Sequence, residues 1–243
     1  MNGIILGAGR GSRLMPLTAD RPKCLVDIDG IPLIDRQVRA LQQAGVSNLH
    51  VVAGWHGEAL AARGFDTLWN TRWAHTTMVH SLQQAAALLY DDVTIVSYGD
   101  IIYSGATVRC LVEAPYDLAI SYDPDWIGLW TLRFDDPLSD AETFQLTAQG
   151  TVSDIGGRPT SLEQVEGQYM GLLRFTPTGW EEVERILQKE RGISLDMTGL
   201  LQQIVKAGRI QVHAIPVVGP WCEIDHPHDL ELAVSIARVL DAM

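Results

Sequence analysis

Gly7-Ala8-Gly9-Arg10-Gly11-Ser12-Arg13-Leu14-Met15-Pro16-Leu17-Thr18, running on to Pro22-Lys23-Cys24-Leu25, follows a short apolar run at residues 4–6 that reads as a first β-strand. A strand opening into a glycine-rich loop brings backbone N–H groups close to phosphate oxygens, and a helix N-terminus after the loop would strengthen that anion nest. Four cations, Arg10, Arg13, Arg21 and Lys23, gather there in a chain whose formal net charge is -12. Spacing excludes two common phosphate loops. No lysine directly follows the glycines, as G-x-x-x-x-G-K-[ST] requires. G-x-G-x-x-G fails because the third glycine falls at Gly11 and Ser12 stands where it is needed. Lys23 is the only lysine before Lys189 in a chain that otherwise prefers arginine. A compact ammonium fits between the non-bridging oxygens of one phosphate in a way that a wide guanidinium does not. The expectation is a nucleotide site at the amino terminus.

Outward from this loop, residues 1–115 alternate strand and helix. A short extended piece at 25–28 turns at Asp29-Gly30. Pro32 then starts a helix through Ala44, with Gly45 at its C-terminal cap, and residues 49–53 form the next strand. A helix follows Gly57. Residues 77–89 read as a helix capped by Thr76 or Thr77, with Met78, Leu82, Ala85, Ala86 and Leu89 at helical spacing. A strand at 93–97 ends in Tyr98-Gly99-Asp100. Such alternation implies a parallel sheet with right-handed crossovers. Residues 116–243 change character. Strands are expected at 117–123, 127–135, 143–155 and 168–175, helices at 178–190 and 197–207, a strand at 210–217 and a last helix from Pro227. The whole reads as one α/β domain, 1–243, in which a parallel nucleotide-binding half carries an antiparallel substrate half.

At 243 residues and 47% hydrophobic, the chain can bury a sizeable core. No apolar run is long enough for a membrane span and no basic segment precedes the first strand, so neither membrane nor secretory signal is expected. Three cysteines, Cys24, Cys110 and Cys222, lie far apart, which fits a reducing cytoplasm. The acidic balance argues against nucleic acid as a partner but leaves a small anionic substrate open where cations cluster.

The stretch Leu6-Gly7-Ala8-Gly9-Arg10-Gly11-Ser12-Arg13-Leu14 with Pro16-Leu17-Thr18 and Pro22-Lys23-Cys24-Leu25 resembles the signature of the nucleotidyltransferase superfamily, which includes sugar-1-phosphate nucleotidyltransferases and the phosphocholine and phosphonate cytidylyltransferases. The resemblance implies a Rossmann-like, mainly parallel mixed sheet flanked by helices, with a small antiparallel acceptor-binding subdomain. It also implies that the loop holds the nucleotide, that Arg13 touches the outer phosphates and that Lys23 touches the reacting one. Asp100 and Asp225 match the family's magnesium ligands, with Glu223 beside them in Glu223-Ile224-Asp225. The chemistry is coherent without a general base, because an ionised phosphate or phosphonate oxygen is already a nucleophile. Alignment and charge neutralisation by cations and Mg²⁺ then suffice. Mg²⁺ favours one or two carboxylates plus phosphates, and Asp100 falls at the carboxyl end of a strand, where ligands of open α/β sheets bind.

Acceptor and base are read from elsewhere. The stretch 70–82, containing Asn70, Thr77, Ser81 and Leu82, is similar to the pattern of the phosphocholine and phosphonate cytidylyltransferases, with Thr77 where those often show asparagine. This favours CTP, with Thr77 and Ser81 at the nucleotide, and a small phosphonate or phosphocholine-like acceptor. Arg158 resembles a phosphate-binding Lys-Pro step with arginine in place of lysine, and Arg174 competes for that role. Tyr169 falls near the family's acceptor pocket, and tryptophans such as Trp73, Trp126, Trp130 and Trp221 are candidates for a cation–π cage. Two alternatives stay open: a sugar-1-phosphate nucleotidyltransferase using UTP, dTTP or GTP, and a non-catalytic nucleotide-binding subunit. A zinc cluster in Cys222, Glu223, Asp225, His226, His228 and Asp229 is disfavoured by its spacing. A homodimer is expected only on general frequency.

Overall fold

The computed structural model describes residues 1–189 and 194–243. In chain order the first half comprises β1 (Asn2–Gly7), β2 (Asp27–Ile28), β3 (Ile31–Pro32), α1 (Leu33–Gln43), β4 (Asn48–Ala53), α2 (Glu58–Ala62), β5 (Asp66–Trp69), α3 (Met78–Gln83), α4 (Ala86–Asp91), β6 (Thr94–Tyr98), β7 (Ile101–Ile102) and α5 (Gly105–Val112). The second half adds β8 (Leu118–Asp123), α6 (Trp126–Arg133), β9 (Phe144–Leu146), β10 (Val152–Ile155), β11 (Gln168–Phe175), α7 (Pro177–Lys189), α8 (Met197–Ala207), β12 (His213–Pro216), β13 (Cys222–Glu223) and α9 (Asp229–Asp241).

Seven strands form one sheet in the order β12-β8-β11-β6-β1-β4-β5. The pairs β6–β1, β1–β4, β4–β5 and β12–β8 are parallel, and β11 runs antiparallel between β6 and β8. Every residue of β1 is buried, because both faces of the sheet are covered. Its alternation divides the core: Ile4 and Leu6 pack with α3, α4, α7 and α8, while Ile5 packs with α1, α2, α5 and α6. A third cluster joins α9 to β2, β7 and β13 through Ile28, Ile102, Cys222, Ile224 and Ala237.

The crossovers set the position of the site. The chain leaves β1 through α1 toward β4 on one face, then returns from β5 through α3 and α4 to β6 on the other. The direction of winding therefore reverses between β1 and β6, and a crevice opens at their carboxyl ends. The antiparallel character expected of the second half resides in the β9–β10 hairpin and in β11, which is continuous with the main sheet.

Several elements differ from expectation. The predicted strand at 127–135 is the helix α6. Its β-prone residues place Trp126, Trp130 and Arg133 on one buried stripe of helical period, while Leu132 is exposed, so tertiary burial overrides local preference. The predicted helix at 77–89 is two short helices that break at Gln84 and Ala85, with Thr77 in the N-cap position of the first. The expected helix at 178–190 is α7, and residue 190 lies outside the described residues. β5 and α5 have no counterpart in the sequence reading. The Asp29-Gly30 turn is as expected: both residues have positive φ, 53° and 84°, the geometry of a tight hairpin between β2 and β3.

Candidate active site

The loop after β1 is held in shape by its own motif. Gly11 has φ 64°, and a Cβ on it would meet the Lys23 side chain at 2.9 Å, so glycine is needed for both the turn and the approach. The buried Thr18 hydroxyl donates to the Gly11 carbonyl at 2.8 Å, while the Trp55 indole donates to the Thr18 carbonyl at 3.1 Å. Only a three-residue 3₁₀ turn, Ser12–Leu14, follows, so no long helix dipole reinforces the nest and backbone N–H groups and side-chain cations must do the work. Just past the end of β6, Gly99 lets the chain close on β1: a Cβ there would lie 2.6 Å from the Leu6 carbonyl oxygen.

Between these strand ends lies a cleft of about 280 Å³. Its floor is formed by Leu6, Gly7, Ala8, Gly9, Gly11, Ser12, Arg13 and Lys23, and its walls by Trp73, Thr76, Thr77, Met78, Ser81, Asp100 and Asp225. Of the four cations in the amino-terminal stretch, Arg13 and Lys23 line it. Arg10 instead lies over the Trp55 ring, 4.6 Å from its centroid, and Arg21 pairs with its neighbour Asp20 at 2.9 Å. Counting charge along the chain does not reveal which cations find local partners.

Lys23 is the centre of the cleft. Its Nζ donates to Asp100 Oδ2 at 2.8 Å and to Asp225 Oδ1, and its side chain is only 13% exposed. Burial works against its charge, but the two carboxylates outweigh burial and its pKa is raised. Arg13 Nη2 reaches Asp225 Oδ2 at 2.9 Å. Burial alone would raise the pKa of Asp225; Lys23, a hydrogen bond with Glu223 and Arg13 together bring it well below the usual carboxylate range. Glu223 is displaced the other way: burial first, then Asp225 and Asp100, push its pKa up. Asp100, Glu223 and Asp225 each offer an oxygen within 4.8 Å of the others, and Asp100 Oδ1 is buried without a hydrogen-bond partner. An orphan carboxylate oxygen beside two further carboxylates is a donor set suited to a hard divalent cation.

Convergence of residues 100 and 225 has a simple cause. β7 follows Asp100 directly and pairs antiparallel with β13, matching Ile101 to Glu223 and Ile102 to Cys222. The Ile224 amide donates to the Asp100 carbonyl at 2.9 Å. Gln37, buried on α1, braces the same turn by donating to the carbonyls of Tyr98 at 2.9 Å and Ile101 at 2.7 Å. The opposite wall is organised by the buried Asn70, whose amide donates to Thr76 Oγ1 at 2.9 Å and Ser81 Oγ at 3.0 Å. Gln37 has no place in the sequence reading, and Asn70 enters it only as part of the 70–82 pattern; an amide is a conspicuous group to bury, but sequence alone does not disclose burial.

The expected acceptor residues fare unevenly. Arg158 is exposed beyond β10 and does not line the cleft. Arg174 points to the other end of the sheet: it pairs in register with Ile95 and Ala119 near the starts of β6 and β8, and its guanidinium donates to the Tyr116 carbonyl. It is a structural residue, and Arg174→Met should leave kcat/KM within about threefold of wild type; a loss of about tenfold or more in steady-state kinetics would return it to the acceptor. Trp126 is buried, donates its indole N–H to the Val165 carbonyl at 3.2 Å and packs on Trp130, which packs on Trp221. These three are core, and among the tryptophans named above only Trp73 faces the cleft. Tyr169 is buried edge-on against Tyr98 with ring centroids 5.7 Å apart, two residues before Asp100. The His226, His228 and Asp229 group is not a zinc site in this arrangement, because both Asp229 oxygens are taken by Arg133 and backbone amides.

The glycine loop and a lysine held by two carboxylates thus meet at the reversal point of a mainly parallel sheet. Residues 3–149 match the MobA-like NTP transferase domain, and the chain belongs to that family. It is 35% identical to a CTP:phosphoglutamine cytidylyltransferase of Campylobacter jejuni, over 97% of this chain and the whole of that protein. In structure it is similar to the CTP:phosphocholine cytidylyltransferase of Streptococcus pneumoniae, with a TM-score of 0.71 at 20% identity over 97% of this chain and 98% of the other. It is also similar to a Bacillus anthracis protein proposed to be a glucose-1-phosphate thymidylyltransferase, with a TM-score of 0.77 at 18% identity over 98% and 95%. At those identities the two structures speak for the fold. No helix among the described residues is long and apolar enough to cross a membrane.

Proposed function

We propose that this nucleotidyltransferase is a Mg²⁺-dependent cytidylyltransferase that moves CMP from CTP to a small phosphorylated acceptor and releases pyrophosphate. The observation that carries the reading is Lys23, held between Asp100 and Asp225 at the floor of the cleft beneath the glycine loop. In this reading the backbone of residues 7–12 cradles the triphosphate, Arg13 faces its outer phosphates, and Lys23 sits against the α-phosphate. An oxygen of the acceptor's phosphoryl group bonds to the α-phosphorus while the bond from that phosphorus to the bridging oxygen breaks, and pyrophosphate leaves with the electron pair. Neither partner needs to lose a proton, which agrees with a cleft whose ionisable groups are cations and carboxylates rather than a base poised near neutrality. Asp100 and Asp225, with Glu223 behind them, would hold Mg²⁺, which when bound neutralises phosphate charge. Thr76 and Ser81, fixed by Asn70, would face the nucleoside together with Thr77.

CTP as donor is supported by the Campylobacter relative. That relative also favours a small phosphorylated amide of the phosphoglutamine kind. Burial of Trp126, Trp130 and Trp221 weighs against a cage for the quaternary ammonium of phosphocholine. Pyrophosphate release should be followed with CTP, UTP, dTTP and GTP, each against phosphoglutamine, phosphocholine, an aminoalkylphosphonate and glucose 1-phosphate. CTP with phosphoglutamine is expected to exceed the other pairs by at least about tenfold in kcat/KM, the scale of one or two hydrogen bonds read in the transition state. Good turnover of UTP or dTTP with the sugar phosphate, without turnover of CTP, would replace this reading with the sugar-nucleotide one. Tight CTP binding without turnover on any acceptor would make the protein a binding subunit.

A further inference from the structure

Arg133 and Asp229 form a buried pair that the proposed chemistry does not use directly. Each side chain is 1% exposed. Arg133 closes α6 and Asp229 opens α9, and they meet as a fork: Nε to Oδ1 at 2.9 Å and Nη2 to Oδ2 at 3.2 Å. The same Asp229 Oδ2 accepts the backbone N–H groups of Asp225 and His226, both at 2.8 Å. The remaining guanidinium nitrogen, Nη1, makes no hydrogen bond and lies 3.8 Å from Glu223 Oε2. The guanidinium carbon lies over the rings of Trp130 and Phe134, 4.7 and 5.0 Å from their centroids.

A pair that merely pinned α9 to α6 would need only the fork. This one reaches further, because the two amides it ties belong to the turn that carries Asp225, and its spare nitrogen faces the neighbouring carboxylate. Lys23 and Arg13 approach Asp225 from the cleft, whereas Arg133 and Asp229 hold the same turn from behind. Buried charges of this kind are stable only when both partners remain, so the turn cannot relax without exposing one of them.

We propose that Arg133 and Asp229 are positioning residues that set Asp225 and Glu223 in the geometry needed to hold the divalent cation. This rests on the reading that Asp100, Glu223 and Asp225 hold that cation. Groups behind metal ligands commonly change metal affinity by about 10- to 100-fold when altered.

The test uses the intact protein with a non-hydrolysable CTP analogue and Mn²⁺ as the metal probe, with free Mn²⁺ read by electron paramagnetic resonance. Arg133→Lys keeps the charge and the stem but loses the fork. It is expected to weaken Mn²⁺ binding about 10-fold and to lower kcat similarly, with KM for CTP within about threefold of wild type. The double variant Arg133→Met/Asp229→Leu, which removes both charges, should show at least the same loss. Wild-type Mn²⁺ affinity and kcat in either folded variant would overturn the proposal. If neither variant folds, amide exchange in the wild-type protein decides: protection of the Asp225 and His226 amides supports the tie, and exchange as fast as an exposed loop overturns it. Asp225→Asn separates the two levels. If it leaves Mn²⁺ binding unchanged, the cation reading itself falls and this inference falls with it. If it abolishes binding while the Arg133 variants bind normally, only the positioning role is lost.

Discussion

Lys23→Ala is expected to lower kcat/KM by about two to four orders of magnitude, with most of the loss in kcat. The side chain is nearly buried and bonded to both Asp100 and Asp225, so its removal has two consequences in one place. The cation facing the reacting phosphate disappears. The carboxylates it neutralised then repel the incoming triphosphate, with only Arg13 still paired to Asp225. A second cost falls on folding, since removing one partner of a buried charge cluster destabilises by about 3–5 kcal/mol. Kinetics should therefore be measured on protein shown to be folded by its denaturation midpoint. Lys23→Arg is not a rescue, because a planar guanidinium does not reproduce the compact ammonium that bonds Asp100 and Asp225 through one nitrogen. Near-normal kcat in folded Lys23→Ala would remove Lys23 from the chemistry.

Asp225→Asn is the second large effect, with an expected loss of about three orders of magnitude in kcat/KM and a shift of the Mg²⁺ activation curve to higher concentration. Asp225 is bonded to Lys23 and Arg13, lies beside Glu223 and is held far into its ionised form. An amide keeps the shape but offers one acceptor oxygen and no charge. The pattern across Mg²⁺ concentrations distinguishes this from damage to the fold: added Mg²⁺ should partly restore a weakened cation site and leave a misfolded one inactive. An unchanged Mg²⁺ curve with an unchanged rate would exclude Asp225 from holding the cation.

The parts of this site that were legible in the sequence are those whose meaning is local. The β1 loop, Lys23, and Asp100 at the end of β6 are written as a strand, a turn and a charge at fixed spacing, and alternation of strand and helix places the strand ends together. Asp225 was legible only through resemblance, because its approach to Asp100 depends on the pairing of β7 with β13, two strands of two residues each. The errors share another cause. Arg174 and Trp126 are of plausible type for an acceptor pocket, but which end of a strand or which face of a helix a residue occupies is decided by packing across the sheet. α6 shows this most clearly: Trp126-Ile127-Gly128-Leu129-Trp130-Thr131-Leu132-Arg133 favours a strand locally, and only the buried stripe of Trp126, Trp130 and Arg133 makes it a helix. That helix then delivers Arg133 to Asp229, a contact across 96 residues with no local trace in the sequence.

The most direct test is ³¹P nuclear magnetic resonance of the protein with Mg²⁺, CTP and phosphoglutamine. One equivalent of pyrophosphate per CTP consumed is expected, together with two mutually coupled resonances from a new bridge joining the α-phosphorus of CMP to the acceptor's phosphorus. Formation of CDP, which would place the cleavage at the γ-phosphate, or CTP left intact in the presence of every acceptor tried, would contradict CMP transfer.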